Sequence, residues 1–105
     1  MDPRTLEARR AEVQVVDVRG DEEWAAGHLA GSRHIPMGEP ASRLGELDRD
    51  RPVVTVCRSG RRSGQVAEEL RRDGWTASNL DGGLERWVEE GLPLTTPDGG
   101  PGRVG

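Results

Sequence analysis

PVVTVCRSGRRSGQVAEEL, residues 52–70, is the stretch from which the rest of the fold can be predicted. Pro52–Val56 is a short apolar run of mostly β-branched residues, which predicts a buried strand. Ser63–Asp73 carries apolar residues on one helical face and predicts a helix. The residues between them, Cys57–Arg62, are polar or small and predict a tight loop. The sequence therefore predicts that Cys57 lies at the carboxyl end of a strand and just before a helix, where α/β folds bind ligands.

Strands and helices alternate on both sides of this stretch. The other predicted strands and helices are Pro3–Arg10 (helix), Gln14–Val18 (strand), Glu22–Ala26 (helix), Arg33–Ile35 (strand), a helix from Glu39 and Pro40 through about Leu47, Thr76–Leu80 (strand), and a last helix that carries Leu84, Trp87 and Val88. This order predicts an α/β fold with a parallel sheet and helices on both of its faces. Residues 1–94 are expected to form one domain. Residues 95–105, TTPDGGPGRVG, are expected to be a flexible Pro- and Gly-rich tail that packs against nothing.

Composition excludes several classes of function. The chain has 105 residues and a formal net charge of −4, which argues against nonspecific binding to nucleic acid. No apolar run has the length needed to span a membrane, and the charged N-terminus predicts no signal peptide. Cys57 is the one cysteine, so no internal disulfide can form, which fits the reducing cytoplasm. A cytoplasmic location is therefore expected. No long apolar stripe remains after the core is assigned, and we therefore expect a monomer.

The loop that follows Cys57 has the features of an anion-binding site. The first N–H groups of a helix lack partners within it, and the helix dipole adds positive charge there. Gly60 permits a tight turn, and three arginines, Arg58, Arg61 and Arg62, follow within five residues of Cys57. We expect one or two of them to serve the site directly. Such surroundings lower the pKa of a thiol, typically to about 3.5–7.5. The alternative, an inert buried cysteine, fits the polar flanking residues less well.

No other group of residues predicts catalysis. His28 is expected to make a structural hydrogen bond, and His34, in a short strand, gives no catalytic signal. With one cysteine and two distant histidines, the sequence predicts neither a metal site nor a cofactor.

At this point a family resemblance can be stated. VVDVRGDEEWAAGHLAGSRHIP (15–36), VVTVCRSGRRS (53–63), DGW (73–75) and NLDGGLERWVEEGLPL (79–94) resemble, in the same order, the segments of single-domain rhodaneses. The resemblance implies a mainly parallel, five-stranded sheet. It also implies that Cys57 takes sulfur from a donor such as thiosulfate as a persulfide and passes it to cyanide, a thiol or a protein acceptor.

The same resemblance assigns further site residues. It implies that the loop after Cys57 binds the substrate, mainly through backbone N–H groups; these residues are Arg58, Ser59, Gly60, Arg61, Arg62 and Ser63. Asp17, Arg19 and Glu23 match the family's opening motif. Asp17 and Arg19 are interpreted as structural support of the loop, and Trp24 and Trp87 as core residues.

Three alternatives remain open. The first is a sulfur relay loaded by another protein, which an open loop around Cys57 would allow. The second is a phosphatase or arsenate reductase, a related branch whose loop is one residue longer and places an arginine six positions after the cysteine. Here Ser63 occupies that position, and Arg61 and Arg62 fall at positions four and five. The third is a noncatalytic binding domain, although such members often lack the cysteine.

Overall fold

The computed structural model describes residues 1–39 and 41–105. Its four α-helices are α1 (Pro3–Arg9), α2 (Asp21–Ala26), α3 (Arg61–Arg72) and α4 (Gly83–Glu89). Its four strands are β1 (Gln14–Asp17), β2 (Arg33–His34), β3 (Val53–Val56) and β4 (Ala77–Asn79). Short 3-10 helices cover Arg10–Glu12 and Ala41–Glu46. The predicted start of a helix at Pro40 lies outside the described residues.

The four strands form one parallel sheet in the order β2-β1-β3-β4. Gln14 to Asp17 of β1 pair with Val53 to Val56 of β3. The prediction of a fifth strand is wrong for the described residues. Thr95 makes only single antiparallel bridges, with His28 and with Pro101, and these do not form a strand of the sheet.

Side chains that alternate along β3 build a core on each face of the sheet. Val54 and Val56 pack in a cluster that includes Leu84 and Trp87 of α4. Val53 points to the opposite face, where Leu70 of α3 contributes to the second cluster. Burying a side chain of this size contributes about 1.5–3 kcal/mol. Helices therefore cover both faces, as predicted, and Cys57 belongs to the cluster on the α3 side.

Helix α3 begins at Arg61, two residues earlier than predicted. Gly60 precedes the helix with φ +94°, a backbone conformation that other residues rarely adopt. Its carbonyl accepts the first helical hydrogen bond, from Gly64 N at 3.0 Å. The loop between strand and helix is therefore only four residues long, and its N–H groups are held close to Cys57.

Residues 95–105 pack against the domain, so the expectation that they make no packing contacts is wrong. Thr95 exchanges two backbone hydrogen bonds of 2.8 Å with His28. Arg103 N donates to Ala26 O at 3.0 Å, and Val104 packs against the core cluster on the α4 side. Composition is a poor guide here because backbone groups and one valine make these contacts.

Trp24, in the second half of α2, is stacked against two imidazole rings. The centroid of its ring system lies 3.6 Å from that of His28 and 4.7 Å from that of His34. His28 Nδ1 also lies 3.0 Å from Trp24 O, so the predicted structural hydrogen bond of His28 is confirmed. In the part of the chain that the structure describes, no helix is long and apolar enough to cross a membrane.

Candidate active site

The site lies where the direction of strand connection changes. In the order of the strands, β2 lies on one side of β1, whereas β3 and β4 lie on the other side of β1. Ligands of open α/β sheets bind beyond the carboxyl ends of strands at such a point. Asp17 ends β1 and is paired in register with Val56, directly before Cys57. Cys57 and the Asp17 side chain are thus brought to the same edge of the sheet.

The Cys57 sulfur is surrounded by hydrogen-bond donors. The backbone N–H of Gly60 donates to Sγ at 3.1 Å, that of Ser63 donates at 3.5 Å, and the Ser63 hydroxyl lies 3.2 Å away. Burial by itself raises the pKa of Cys57, but hydrogen bonds from the Ser63 side chain and from backbone N–H groups of Ser63, Gly60 and Ser59 outweigh it, and the pKa is lowered. The site therefore stabilises a negative charge on sulfur.

Cys57 exposes 0% of its surface, so the open loop expected from the sequence is not observed. An apolar cavity of about 200 Å³ lies elsewhere, between β1 and the second half of α3, and Cys57 does not line it. A reagent can therefore reach the sulfur only if residues around it move.

Asn79, the last residue of β4, lies behind the loop and was not predicted from the sequence. Its Nδ2 donates to Gly60 O at 2.9 Å, and its Oδ1 lies 2.5 Å from Ser63 Oγ. Thr55 of β3 also supports the loop, because its hydroxyl donates to Ser63 O at 2.8 Å. The signal that could have identified Asn79 is its position, at the carboxyl end of the strand next to β3.

Two of the three loop arginines are paired with carboxylates. Arg58 Nε lies 3.2 Å from Glu85 of α4. Arg62 binds both carboxylate oxygens of Glu23 on α2, each at 2.9 Å. The hydrogen bond from Arg62 lowers the pKa of Glu23 to about 2, although burial opposes it. Arg61 is exposed, and within residues 1–39 and 41–105 it has no carboxylate at ion-pair distance.

The first turn of α4 binds the loop from the other side. Leu84 N donates to Cys57 O at 2.9 Å, and Glu85 N donates to Arg58 O at 3.0 Å. Gly83 makes this approach possible: its φ is +64°, and a Cβ there would lie 2.4 Å from Arg58 O. The backbone that carries the thiol is therefore fixed by both α3 and α4.

Asp17 and Arg19 form a buried ion pair at the end of β1. Arg19 Nη2 lies 2.8 Å from Asp17 Oδ2 and 2.6 Å from Gly27 O, and both residues are 0% exposed. Arg19 Nη1 has no partner among the described residues. The pair joins the end of β1 to the turn after α2, the helix that provides Glu23.

The described residues contain no group of three His, Cys, Asp or Glu side chains that could hold a metal ion. The family model of the rhodanese-like domain matches residues 2–90. The chain belongs to the rhodanese-like family. The resemblance inferred from the four segments is thereby confirmed.

Several relatives of this rhodanese-like chain have names that describe an activity. A sulfurtransferase from Allochromatium vinosum is 36% identical over 103 residues, which cover 94% of this chain and 96% of that protein. Thiosulfate sulfurtransferase GlpE from Pseudomonas aeruginosa is 40% identical over 75 residues, 70% of this chain and 68% of that protein. Uncharacterized protein YqhL from Bacillus subtilis is 40% identical over 75 residues, and the match spans 60% of its length.

Solved structures agree with the family assignment. The crystal structure of a rhodanese-related protein from Thermoplasma volcanium superposes with a TM-score of 0.85 at 30% identity. The superposition covers 90% of this chain and 95% of that one. The rhodanese-like α/β fold therefore extends over nearly the whole chain.

Proposed function

We propose that this protein is a sulfurtransferase that carries sulfane sulfur as a persulfide on Cys57. The observation that supports this most directly is the set of donors around the sulfur, the Gly60 and Ser63 N–H groups and the Ser63 hydroxyl. An inert core cysteine has no need of such donors, because a neutral thiol is a weak hydrogen-bonding group. The names of GlpE and of the Allochromatium protein support the same reaction class.

The reaction proceeds in two half-reactions. The Cys57 thiolate attacks the outer sulfur of a donor such as thiosulfate; a new S–S bond forms, the S–S bond of thiosulfate breaks, and its electron pair leaves with sulfite. The negative charge then lies on the terminal sulfur of the persulfide. An acceptor such as cyanide or a thiolate attacks that sulfur, and the electron pair of the broken S–S bond returns to Cys57 as a thiolate. Charge and atoms balance in both steps, and no oxidant is required.

Arg61 is the loop arginine that we assign to attraction of the donor anion. Arg58 and Arg62 are already paired with Glu85 and Glu23, so their charges are largely compensated. Arg61 is exposed at the start of α3, where the helix dipole adds to its positive charge. The charge of thiosulfate would therefore be met first at Arg61.

The loop favours a small sulfur donor over a phosphate ester. Ser63 occupies the position of the arginine that a longer oxyanion-binding loop would supply, and its hydroxyl lies 3.2 Å from Cys57 Sγ. Arg62, one residue earlier, is bound by both carboxylate oxygens of Glu23. A tetrahedral phosphoryl group would therefore lack a bidentate arginine.

We propose in addition that the protein works as a monomer in the cytoplasm, where its single thiol stays reduced.

Intact-protein mass spectrometry after incubation of the reduced protein with thiosulfate tests the persulfide, with Cys57→Ser as the control. We expect a gain of one sulfur atom on the wild type alone, reversed by cyanide with release of thiocyanate. If a reduced thiol that still reacts with iodoacetamide gains no sulfur, the proposal for small donors is wrong, and loading by a partner protein becomes the better explanation.

The role of Arg61 is tested by steady-state kinetics with thiosulfate. Arg61→Gln is expected to raise KM about fivefold at low ionic strength, the size of effect that about 1 kcal/mol produces, with the difference shrinking as salt is added. Arg72→Gln is the matched control, since it removes the same charge at the far end of α3, about 16 Å away along the helix. Equal effects of the two substitutions would contradict the assignment.

A further inference from the structure

The Ser63 hydroxyl lies between two groups that compete for its single proton. Ser63 is 0% exposed, and its Oγ is 3.2 Å from Cys57 Sγ and 2.5 Å from Asn79 Oδ1. A hydroxyl donates one hydrogen bond only, so it cannot donate to both at once. The two contacts must therefore alternate with the charge on the sulfur.

The orientation of the Asn79 amide is fixed by the loop itself. Its Nδ2 donates to Gly60 O at 2.9 Å, a carbonyl that can only accept. The amide oxygen therefore faces Ser63, and the short contact between the two oxygens requires that Ser63 be the donor. In this arrangement a neutral Cys57 thiol can use its own proton to donate to Ser63 Oγ. Both contacts of Ser63 are then satisfied.

A negatively charged sulfur changes this pattern, because a thiolate has no proton and can only accept. The hydroxyl proton of Ser63 must then turn from Asn79 to the sulfur if the anion is to receive a third donor beside the N–H groups of Gly60 and Ser63. Asn79 Oδ1 loses its close donor in that state. The Thr55 hydroxyl lies 3.5 Å from Asn79 Oδ1, but it donates to Ser63 O at 2.8 Å.

We propose that Asn79 is a positioning residue that holds the Ser63 hydroxyl while Cys57 is uncharged and releases it when the sulfur becomes an anion. Asn79 thereby competes with the nucleophile for one proton and favours the neutral thiol in the resting protein. When the charge moves outward to the terminal sulfur of a persulfide, the hydroxyl is free to return to Asn79. The proposal deepens the function proposed above, but it concerns the thiol itself and does not depend on any sulfur donor.

The charged groups on the surrounding elements do not account for the same behaviour. Helix α2 contributes Glu23 paired with Arg62 of α3, α4 contributes Glu85 paired with Arg58, and the end of β1 contributes the Asp17–Arg19 pair. Each of these cations is matched by a carboxylate, although Arg62 also interacts with the Cys57 sulfur, and Arg61 is exposed to solvent. Substitutions at Asn79 and Ser63 remove none of these charges, so a change in the thiol's titration would report on the hydroxyl.

A double-mutant cycle tests the proposal. The rate of alkylation of Cys57 by iodoacetamide is measured against pH by intact mass for the wild type, Asn79→Ala, Ser63→Ala and the double variant. With Ser63 present, Asn79→Ala is expected to lower the apparent pKa of Cys57 by about one pH unit, since the hydroxyl then serves the thiolate alone. In the Ser63→Ala background, the same change at Asn79 is expected to leave the pKa unchanged. Equal shifts in both backgrounds would overturn the proposal.

Asn79→Leu is the control for loosening of the loop by the cavity that Asn79→Ala leaves. Leucine fills a similar volume but neither accepts from Ser63 nor donates to Gly60 O. We expect the same dependence on Ser63 as for alanine. A pKa shift that persists without Ser63 would show that Asn79 acts only by supporting Gly60, and the proposal would be wrong. Because the alkylation assay contains no sulfur donor, failure of this proposal is distinguishable from failure of the persulfide mechanism.

Discussion

Glu23→Gln is the substitution whose effect on stability can be worked out most fully from the structure. The glutamate binds Arg62 through both carboxylate oxygens at 2.9 Å and also accepts from Gly20 N at 3.1 Å. Glutamine keeps an oxygen for Gly20 but loses the charge and one acceptor for Arg62. The change therefore isolates the ion pair that joins α2 to the cysteine loop and leaves the start of α2 capped.

The magnitude follows from the carboxyl titration. A pKa that falls from 4.5 to about 2 on folding corresponds at most to about 3.4 kcal/mol. Since 41% of the Arg62 side chain and 26% of the Glu23 side chain are exposed, solvent screening reduces this to about 1–2 kcal/mol. Because the pKa is lower in the folded state, the contribution is complete above pH 4.5 and is lost as the pH falls through about 2.

Urea unfolding, followed by tryptophan fluorescence at pH 7 and pH 3, measures this contribution. We expect Glu23→Gln to lower the free energy of unfolding by about 1–2 kcal/mol at pH 7 and by less than half of that at pH 3. Glu85→Gln is the matched control, since the Arg58–Glu85 pair is about half exposed on both sides and contributes little. A cost for Glu23→Gln that is equal at both pH values, or equal to that of Glu85→Gln, would refute the reasoning.

Three further predictions concern the framework of the site. Asp17→Asn leaves the buried Arg19 charge uncompensated and should cost about 3–5 kcal/mol in urea unfolding; a loss below about 1 kcal/mol would contradict burial of this pair. Gly83→Ala should lower the unfolding free energy by about 2 kcal/mol or more, because its Cβ meets the carbonyl of Arg58; an unchanged urea midpoint would contradict that contact. A chain shortened by residues 95–105 should melt several degrees lower in a circular dichroism scan, because it loses the packing of Val104 and the hydrogen bonds around it; an unchanged melting temperature would show that these contacts add nothing.

The part of the fold that the sequence predicts well depends on local patterns. The strand, the loop and the helix around Cys57 follow from an apolar run, a glycine and helical spacing, and all three lie where they were expected to within two residues. Parallel pairing follows from the alternation of strands and helices. The number of strands does not, because one extended residue such as Thr95 can form bridges without forming a ladder.

The part of the site that the sequence misses depends on contacts between distant residues. The three arginines near Cys57 look alike in the sequence. Two of them are paired with distant carboxylates, Arg62 with Glu23, 39 residues away, and Arg58 with Glu85, 27 residues away. Asn79 meets Ser63 only because β4 lies beside β3. Burial of Cys57 was missed for the same reason, since polar neighbours in sequence suggested exposure whereas the fold covers the sulfur completely.

The attachment of the cysteine loop to α4, α2 and β4 also limits how this chain could evolve. Lengthening the loop by one residue would shift the carbonyls of Cys57 and Arg58 away from the first turn of α4, and it would move Arg62 away from Glu23. Gly60 would lose its register with Asn79 at the same time. A lineage that changed from sulfur to larger oxyanions by such an insertion would therefore need compensating substitutions on all three of these elements.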